Sequence, residues 1–159
     1  MIVVSDTTPL RYLIEIEAIE ILSNLFGQIL IPVAVSEELQ HPKTPPNIKA
    51  WIESPPDWLE IRQADLSLFA PMIPLDRGEA ETISLAIELN ADAVLMDERA
   101  GRAEAARVGL SVVPTLTILE TAAASGLLDL ADAFDRLSKT SFRVSPKLLR
   151  EILTRNSLS

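Results

Sequence analysis

The residues of this chain best suited to chemistry are four carboxylates, each beside a segment that the sequence predicts to be buried: Asp6, Glu38, Glu79 and Asp97. Two of them come after apolar runs, because Asp6 closely follows residues 2–4 and Asp97 directly follows residues 93–96. Short apolar runs rich in β-branched residues are typical of strands buried on both faces of a sheet. Open α/β sheets place their ligand sites at the carboxyl ends of such strands, so we expect both aspartates there.

The two glutamates belong to predicted helices, and apolar spacing at about 100° per residue indicates which way each one points. On the helix predicted at residues 32–40, Glu38 lies beside the buried stripe. On the helix predicted at residues 77–89, Glu79 lies on the side of the buried stripe, whereas Glu81 faces away. Glu38 and Glu79 are therefore expected at the edges of two buried helix faces.

Each carboxylate also has a purely structural explanation. Asp6 could interact with the helix N-terminus expected at Thr8, a residue type that caps helices and is followed here by a proline. Glu79 is favourable in the first turn of a helix because of the macrodipole. Asp97 could cap a helix that begins near Arg99. Taken singly, each position admits a structural role as well as a functional one.

Taken together, the four carboxylates favour a bound cation. Like charges within a few ångströms repel and raise one another's pKa unless a cation neutralises them. Oxygen ligands suit Mg²⁺ or Mn²⁺, and a chain with a single histidine, His41, and no cysteine cannot build a zinc site rich in those residues. Such a cation can bind a phosphate oxygen, activate a water and stabilise the leaving oxygen. The predicted chemistry is phosphodiester hydrolysis.

The elements that must position these acids alternate along the chain. Strands are predicted at residues 2–4, 28–31, 58–61, 93–96 and 110–113. Helices fill the intervals, and strands alternating with helices predict a three-layer α/β/α fold with a central parallel sheet. A chain of 159 residues suits one domain spanning 1–159, with a last helix from about residue 146 that packs on the domain or on a partner.

Composition limits the class of protein. Hydrophobic residues make up 48% of the chain and aromatic residues 4%, which suits helices on a sheet better than a β-sandwich. The chain has no cysteine, no N-terminal basic region followed by a long apolar stretch, and no apolar run of about 18 residues. We therefore expect a cytoplasmic protein that does not span a membrane. The net charge of −9 argues against long-range attraction of the whole molecule to nucleic acid.

Four segments of the chain resemble PIN domains, and more narrowly the VapC-like branch of bacterial and archaeal PIN proteins. The segments are VVSDTTPL at residues 3–10, IPVAVSEEL at 31–39, DRGEAETISLA at 76–86 and VLMDER at 94–99. The likeness runs from residue 2 to about residue 150, and four motifs in the same order are more specific than any one of them. It implies a metal-dependent ribonuclease with a central parallel sheet, often the toxin of a toxin–antitoxin pair and frequently a homodimer.

The resemblance also implies roles by position. It makes four residues the catalytic and metal-binding acids: Asp6, Glu38, Glu79 and Asp97. Thr7 matches a small hydroxyl residue that would orient a water or a ligand. Glu98 could share or take the role of Asp97, because the residues around it depart from the usual family pattern.

Basic residues that could contact RNA form two groups in the sequence. The first stands near the acids and comprises Arg77, Arg99 and Arg102. The second stands near the C-terminus and comprises Lys139, Arg143, Lys147, Arg150 and Arg155. The second group could bind RNA or an acidic antitoxin segment, or it could be an ordinary solvated helix face.

Two other classes of protein stay open at this point. A haloacid-dehalogenase-like phosphatase also begins with a strand and an aspartate, but it requires a second aspartate where this chain has Thr8. A catalytically silent PIN-fold binding module would share the whole fold. Metal dependence separates an active nuclease from such a module, because Mg²⁺ or Mn²⁺ should raise the thermal stability of a nuclease and Asp6→Asn should abolish that rise.

Overall fold

Five short strands form a central sheet in the structure, a computed structural model that describes residues 1–157. The strands are β1 (Val3–Ser5), β2 (Ile29–Pro32), β3 (Leu59–Arg62), β4 (Ala93–Leu95) and β5 (Val112–Val113). Their order across the sheet is β3-β2-β1-β4-β5, and every neighbouring pair is parallel. The order reverses between β1 and β4, so the carboxyl ends of these two strands form the switch point at which such sheets bind ligands.

Nine α-helices cover the sheet within the described residues. They are α1 (Thr7–Glu15), α2 (Ile21–Phe26), α3 (Val33–Leu39), α4 (Pro46–Glu53), α5 (Arg77–Leu89), α6 (Arg99–Arg107), α7 (Thr115–Ala124), α8 (Leu130–Ser138) and α9 (Pro146–Ser157). A single 3-10 turn at Leu66–Leu68 follows β3. Two of the helices end with a residue in the left-handed region, at Gly27 after α2 and Asn90 after α5. Both ends agree with the helix boundaries expected from the sequence.

Successive residues of β1 enter two different cores, which shows that helices cover both faces of the sheet. Val3 packs in the core beneath α1 and α7, where Ile118 is also fully buried. Val4 packs in the core beneath α5 and α6, with Ile83 and Ala105. Alternate strand residues point to opposite faces, so a strand buried at both positions requires a helical layer on each side. The predicted three-layer α/β/α fold with a parallel sheet is confirmed.

The first helix begins two residues earlier than the sequence indicates. Thr8 was expected to cap it, but α1 starts at Thr7 and Asp6 occupies the N-cap position. The reason is sheet pairing. The backbone N–H of Asp6 donates to the carbonyl of Leu95 at 2.9 Å, so the chain stays paired with β4 up to Asp6 and turns into the helix directly after it. Pro9 then falls in the first turn, where a missing N–H costs no helical hydrogen bond.

The last helix packs on the rest of the chain through its apolar face. Leu149 and Ile152 of α9 are buried in the core that includes α8. The assignment of residues 1–159 to one domain stays a prediction, and residues 158–159 lie outside the described part. No helix within residues 1–157 has the length and apolar character needed to cross a membrane.

Candidate active site

Three carboxylate oxygens surround one point beside Gly78, in the first turn of α5. A Cβ atom on Gly78 would lie 3.2 Å from Oε2 of Glu38, 3.3 Å from Oδ1 of Asp6 and 3.5 Å from Oδ1 of Asp76. The three acids come from separate elements, namely the end of α3, the end of β1 and the N-cap of α5. A glycine at this position lets the backbone of α5 approach the acids without a side chain between them.

Asp6 is the buried member of this cluster, with 4% of its surface exposed. Burial is the largest of the causes that raise the pKa of Asp6 to about 8; the charges of Asp76, Glu79 and Glu38 act in the same direction, and the backbone hydrogen bond from Thr7 opposes them. A carboxylate with such a pKa carries a proton or needs a cation beside it at neutral pH. An ionised carboxylate at Asp6 is therefore energetically unfavourable unless a bound cation neutralises it.

Thr7, the first residue of α1, forms a hydrogen bond with Glu38 of the cluster. Its Oγ1 donates a hydrogen bond of 2.7 Å to Oε2 of Glu38, the same oxygen that faces Gly78. Thr7 is buried, whereas Glu38 is exposed at the end of α3. The hydroxyl that the sequence assigns to orienting a ligand thus orients a carboxylate in this structure.

Glu79 has one oxygen engaged in the helix and one without a partner. Its Oε1 accepts from the backbone N–H of Asp76 at 3.1 Å, and Oδ1 of Asp76 accepts from the backbone N–H of Glu79 at 2.8 Å, which makes a capping box. The other oxygen, Oε2, is buried and has no hydrogen-bond partner among the described residues. Burial raises the pKa of Glu79. A buried orphan oxygen of this kind is costly unless a ligand satisfies it.

Asp97 lies at the end of β4 and caps α7. Its Oδ1 accepts from the backbone N–H of Thr115 at 3.0 Å and its Oδ2 accepts from the Thr115 hydroxyl at 2.5 Å. The expectation that it caps the helix near Arg99 is wrong, because β5 pairs beside β4 and places the start of α7 against the end of β4. Burial raises the pKa of Asp97, although Thr115 and Arg102 oppose the rise. Glu98 stands at the N-cap of α6 without a side-chain cap.

Glu81 corrects the expected orientation of α5. The sequence places it on the outer side, yet only 6% of Glu81 is exposed. Its Oε1 accepts from the backbone N–H of Ala34 at 3.1 Å and its Oε2 accepts from Nε of Arg77 at 2.7 Å. The physical reason is that α3 packs on the side of α5 that the apolar stripe leaves polar. Glu81 therefore holds the N-terminus of α3 in place.

One acid of the cluster, Glu38, lines a cleft of about 690 Å³ that also has arginine side chains in its wall, whereas Asp6, Asp76 and Glu79 do not line it. Glu38, Asp97 and Glu98 line it on the acidic side. Three arginines line it as well: Arg11, Arg102 and Arg143. Of the basic residues expected near the acids, Arg102 lies at the cleft. Arg77 and Arg99 do not line it, and Arg77 is held by ion pairs to Glu37 and Glu81.

Most of the C-terminal basic group lies elsewhere. Lys139 pairs with Asp135 at 3.1 Å and Arg155 pairs with Glu120 at 2.8 Å. Lys147 and Arg150 lie on an open outer surface of α9 together with Arg155. Only Arg143 of this group lines the cleft. The basic residues near the C-terminus therefore lie in two places, one at the cleft and the others on outer surfaces of the helices.

The donor set suits a divalent cation, although the acids are arranged openly. In the described part of the chain, no group of three or more His, Cys, Asp or Glu side chains is placed so that it could hold a metal ion as it stands. Three carboxylate oxygens around Gly78 are nevertheless the ligand type that Mg²⁺ and Mn²⁺ prefer. A cation there would lower the raised pKa of Asp6, and Thr7 holds the exposed Glu38 with its Oε2 towards the same point. The chemistry of the donors therefore fits the cation, and the carboxylates would have to close around it.

Sequence reasoning missed two residues of this region. The first is Asp76, which was expected before α5 but not among the acids of the site. Its spacing to Glu79 is that of a capping box, and this pattern could have predicted that Asp76 stands at the N-cap of α5. Arg11 follows one turn of helix after Thr7 and Thr8, so it points into the same cleft. Helical spacing alone was sufficient to find it.

Comparisons with known proteins agree with this fold. A family model described as a PIN domain matches residues 2–157. A solved PilT N-terminus domain protein from the hyperthermophilic archaeon Sulfolobus solfataricus P2 has a similar fold, with a TM-score of 0.50 and 21% identity over 81% of this chain and 96% of that chain. No curated protein matches this chain significantly.

The fold is that of a parallel α/β protein with acids at its switch point, and the family match covers nearly all of it. The chain belongs to the PIN domain family. PIN domains are typically nucleases and generally use divalent metal ions. The match gives no support to a haloacid-dehalogenase-like phosphatase.

Proposed function

We propose that this protein is an endoribonuclease that hydrolyses RNA phosphodiester bonds with Mg²⁺ or Mn²⁺. The observation that carries the proposal is the meeting of Asp6, Glu38 and Asp76 around Gly78, with the pKa of the buried Asp6 raised to about 8. Clustered acids with perturbed pKa values at the switch point of a sheet mark a functional site. The cluster is also of one charge sign, which favours a cation over a neutral ligand.

The acids divide into direct and supporting roles in this proposal. Asp6 and Glu38 hold the cation, Asp97 completes the site from the wall of the cleft, and Glu79 supports it from the first turn of α5. Asp76 faces the same point and joins them. When bound, the cation supplies charge stabilisation and a more acidic water for attack on phosphorus. Thr7 holds Glu38 in its present rotamer through the hydrogen bond from its hydroxyl.

The biological setting proposed for this activity follows from the resemblance to VapC-like proteins. We propose that the protein acts in the cytoplasm as the toxin of a VapBC-like toxin–antitoxin pair, with an acidic antitoxin segment as a partner. A homodimer is part of the same proposal. Large exposed apolar side chains around the 3-10 turn are compatible with such an interface: Leu66, Leu68, Met72 and Ile73.

A silent binding module is the second candidate, and a specific observation favours it. Both oxygens of Asp97 are engaged by Thr115, and one oxygen of Glu79 is engaged by its own helix. Acids committed to capping helices are less available to a cation. A module of this kind would bind RNA or a protein partner through the same cleft without hydrolysing it.

Hydrolysis of a labelled mixed-sequence RNA by purified protein separates the two candidates. We expect cutting with Mg²⁺ or Mn²⁺, none with EDTA, and none from Asp6→Asn in any condition. Glu88→Gln is the matched control, because Glu88 is an exposed acid on α5 away from the cluster. Equal cutting by wild type and Asp6→Asn would contradict the proposal, and RNA binding without any cutting would favour the silent module.

A further inference from the structure

Two contacts join α3, which carries Glu38, to α5. Near the start of α3, Oε1 of Glu81 accepts a hydrogen bond from the backbone N–H of Ala34 at 3.1 Å. Near its end, Nη1 of Arg77 lies 2.5 Å from Oε2 of Glu37. Nε of Arg77 also donates to the second oxygen of Glu81 at 2.7 Å, so the two contacts form one connected network. We call Arg77 and Glu81 the clamp.

The start of α3 depends on Glu81 for its cap. The first N–H groups of a helix have no partner within it, and a side chain at the N-cap position usually supplies one. In α3 that position belongs to Pro32, whose side chain has no oxygen to offer. Because Ala34 is buried, its N–H is shielded from water and needs an acceptor from another element. Glu81, itself only 6% exposed, provides that acceptor from α5.

The end of α3 is an unfavourable place for the acids that it carries. Its last turn holds Glu37 and Glu38 and no basic residue. The C-terminus of a helix bears a partial negative charge, which repels carboxylates. A helix of seven residues is also too short to be stable without contacts to other elements. The guanidinium of Arg77 supplies the missing positive charge from α5, and it pairs with Glu37 rather than with Glu38.

The clamp acts one residue away from the candidate cation site. Glu37 precedes Glu38 in the chain, and Arg77 precedes Gly78, around which the carboxylate oxygens meet. A Cβ on Gly78 would lie 3.2 Å from Oε2 of Glu38, so a small shift of α3 relative to α5 changes the spacing of the acids. Thr7 holds the side chain of Glu38, whereas the position of its backbone depends on how α3 is fixed.

We propose that Arg77 and Glu81 are positioning residues for the cation, because they hold α3 against α5 and so set the distance between Glu38 and Asp6. This inference rests on the proposed function and adds two residues that touch neither the cation nor RNA. The distance matters because Mg²⁺ requires short oxygen contacts in near-octahedral geometry, whereas Ca²⁺ accepts longer and less regular ones. A loosened α3 should therefore lower the affinity for Mg²⁺ more than the affinity for Ca²⁺.

The test is isothermal calorimetry of the full chain with Mg²⁺ and, separately, with Ca²⁺. Glu81→Ala removes the cap of α3, and Arg77→Met removes the guanidinium while it keeps an unbranched side chain. We expect Glu81→Ala to weaken Mg²⁺ binding by roughly 10- to 100-fold, as is typical when a residue that orients metal ligands is lost, and Ca²⁺ binding by a smaller factor. Arg77→Met should have a smaller effect of the same kind, because Arg77 and Glu37 are more than half exposed.

Glu120→Ala is the matched control. Glu120 of α7 accepts from Arg155 of α9 at 2.8 Å, so its loss also separates two helices, but its carboxylate faces α9 rather than α3 or α5. The control should lose stability without a change in either affinity. Glu81→Gln keeps an oxygen for the N–H of Ala34, and it should therefore retain most of the Mg²⁺ affinity that Glu81→Ala loses.

Hydrogen exchange in EDTA measures the clamp without any cation. The amides of residues 33–39 should exchange faster in Glu81→Ala than in the wild type, and at the wild-type rate in Glu120→Ala. Unchanged exchange or unchanged Mg²⁺ affinity in Glu81→Ala would overturn the inference, as would an equal loss of affinity for both cations. Absence of cation binding by the wild type would overturn the site together with the clamp. Clamp-dependent Mg²⁺ binding without RNA cleavage would contradict the nuclease alone.

Discussion

Gly78 at the start of α5 lies against Asp6 at the end of β1, so closely that a Cβ on the glycine would stand 3.3 Å from the aspartate Oδ1. Gly78 is not among the glycines with a positive φ. Its backbone therefore accepts an alanine without strain, and the only thing an added methyl changes is the space among the acids. A substitution at Gly78 can therefore disturb the site without destabilising the helix.

Gly78→Ala should lower metal-dependent RNA cleavage by on the order of tenfold or more, because a methyl group would crowd the acids that hold the cation. Stability should hold or rise, since alanine is favoured over glycine in helices by up to about 1 kcal/mol. Initial cleavage rates and urea denaturation measure the two effects. Wild-type cleavage in Gly78→Ala would show that the space beside Asp6 is not used.

The metal-free protein should lose stability as the pH rises from about 4 to about 8. The pKa of Asp6 is raised from 3.8 to about 8 in the folded protein, so between these values the folded state holds a proton that the unfolded chain has released. Each step up in pH then favours unfolding until Asp6 ionises. Urea denaturation in EDTA at several pH values measures the slope.

Asp6→Asn supplies the control for this pH dependence. The variant should flatten much of the slope, although the raised pKa values of Glu79 and Asp97 act in the same direction and leave a remainder. Adding Mn²⁺ to the wild type should reverse the loss near pH 8, because the cation takes the place of the proton. Identical slopes in the wild type and Asp6→Asn would contradict the assigned pKa of Asp6.

Thr115→Val should lower the free energy of unfolding by roughly 1 kcal/mol, because it removes the hydroxyl that donates to Asp97. Thr117→Val is the matched control, since Thr117 is exposed on the same helix. Chemical denaturation of the two variants gives the difference. Equal stabilities would mean that the side-chain bond at the start of α7 contributes nothing.

Gly101→Ala should destabilise the fold by roughly 1–3 kcal/mol through overpacking. A Cβ there would stand 2.6 Å from Oε2 of Glu79 and 2.6 Å from Sδ of Met96. Glu79→Ala removes one of these neighbours, so the double variant should lose less than the sum of the single ones. Strict additivity in denaturation would show that Glu79 does not lie against α6.

Much of the fold and the position of two acids could be predicted from the sequence. Apolar runs and helical spacing define the elements, and because parallel strands end at one edge, Asp6 and Asp97 had to lie near each other. The spacing of apolar residues also predicted a buried stripe beside Glu38 on α3, and Val35 and Leu39, which form that stripe, are both buried. These features follow from the local spacing of apolar residues, which can be read directly from the sequence.

The contacts that the sequence did not predict all depend on which helices and strands become neighbours in the fold. Glu81 is buried because α3 packs on a second side of α5, which the apolar stripe of one helix cannot show. Asp97 caps α7 because β5 pairs beside β4, and the strand order is a property of the whole sheet. Asp76 joined the acids for the same reason, since only the fold brings the start of α5 to the end of β1.

Titration of Mn²⁺ into the protein by isothermal calorimetry tests the central claim most directly, which is that the acids around Gly78 hold a divalent cation. We predict binding by the wild type and by Glu88→Gln, and its loss in both Asp6→Asn and Gly78→Ala. Circular dichroism would confirm that the variants are folded. Absence of binding by the wild type, or equal binding by all four proteins, would contradict the account.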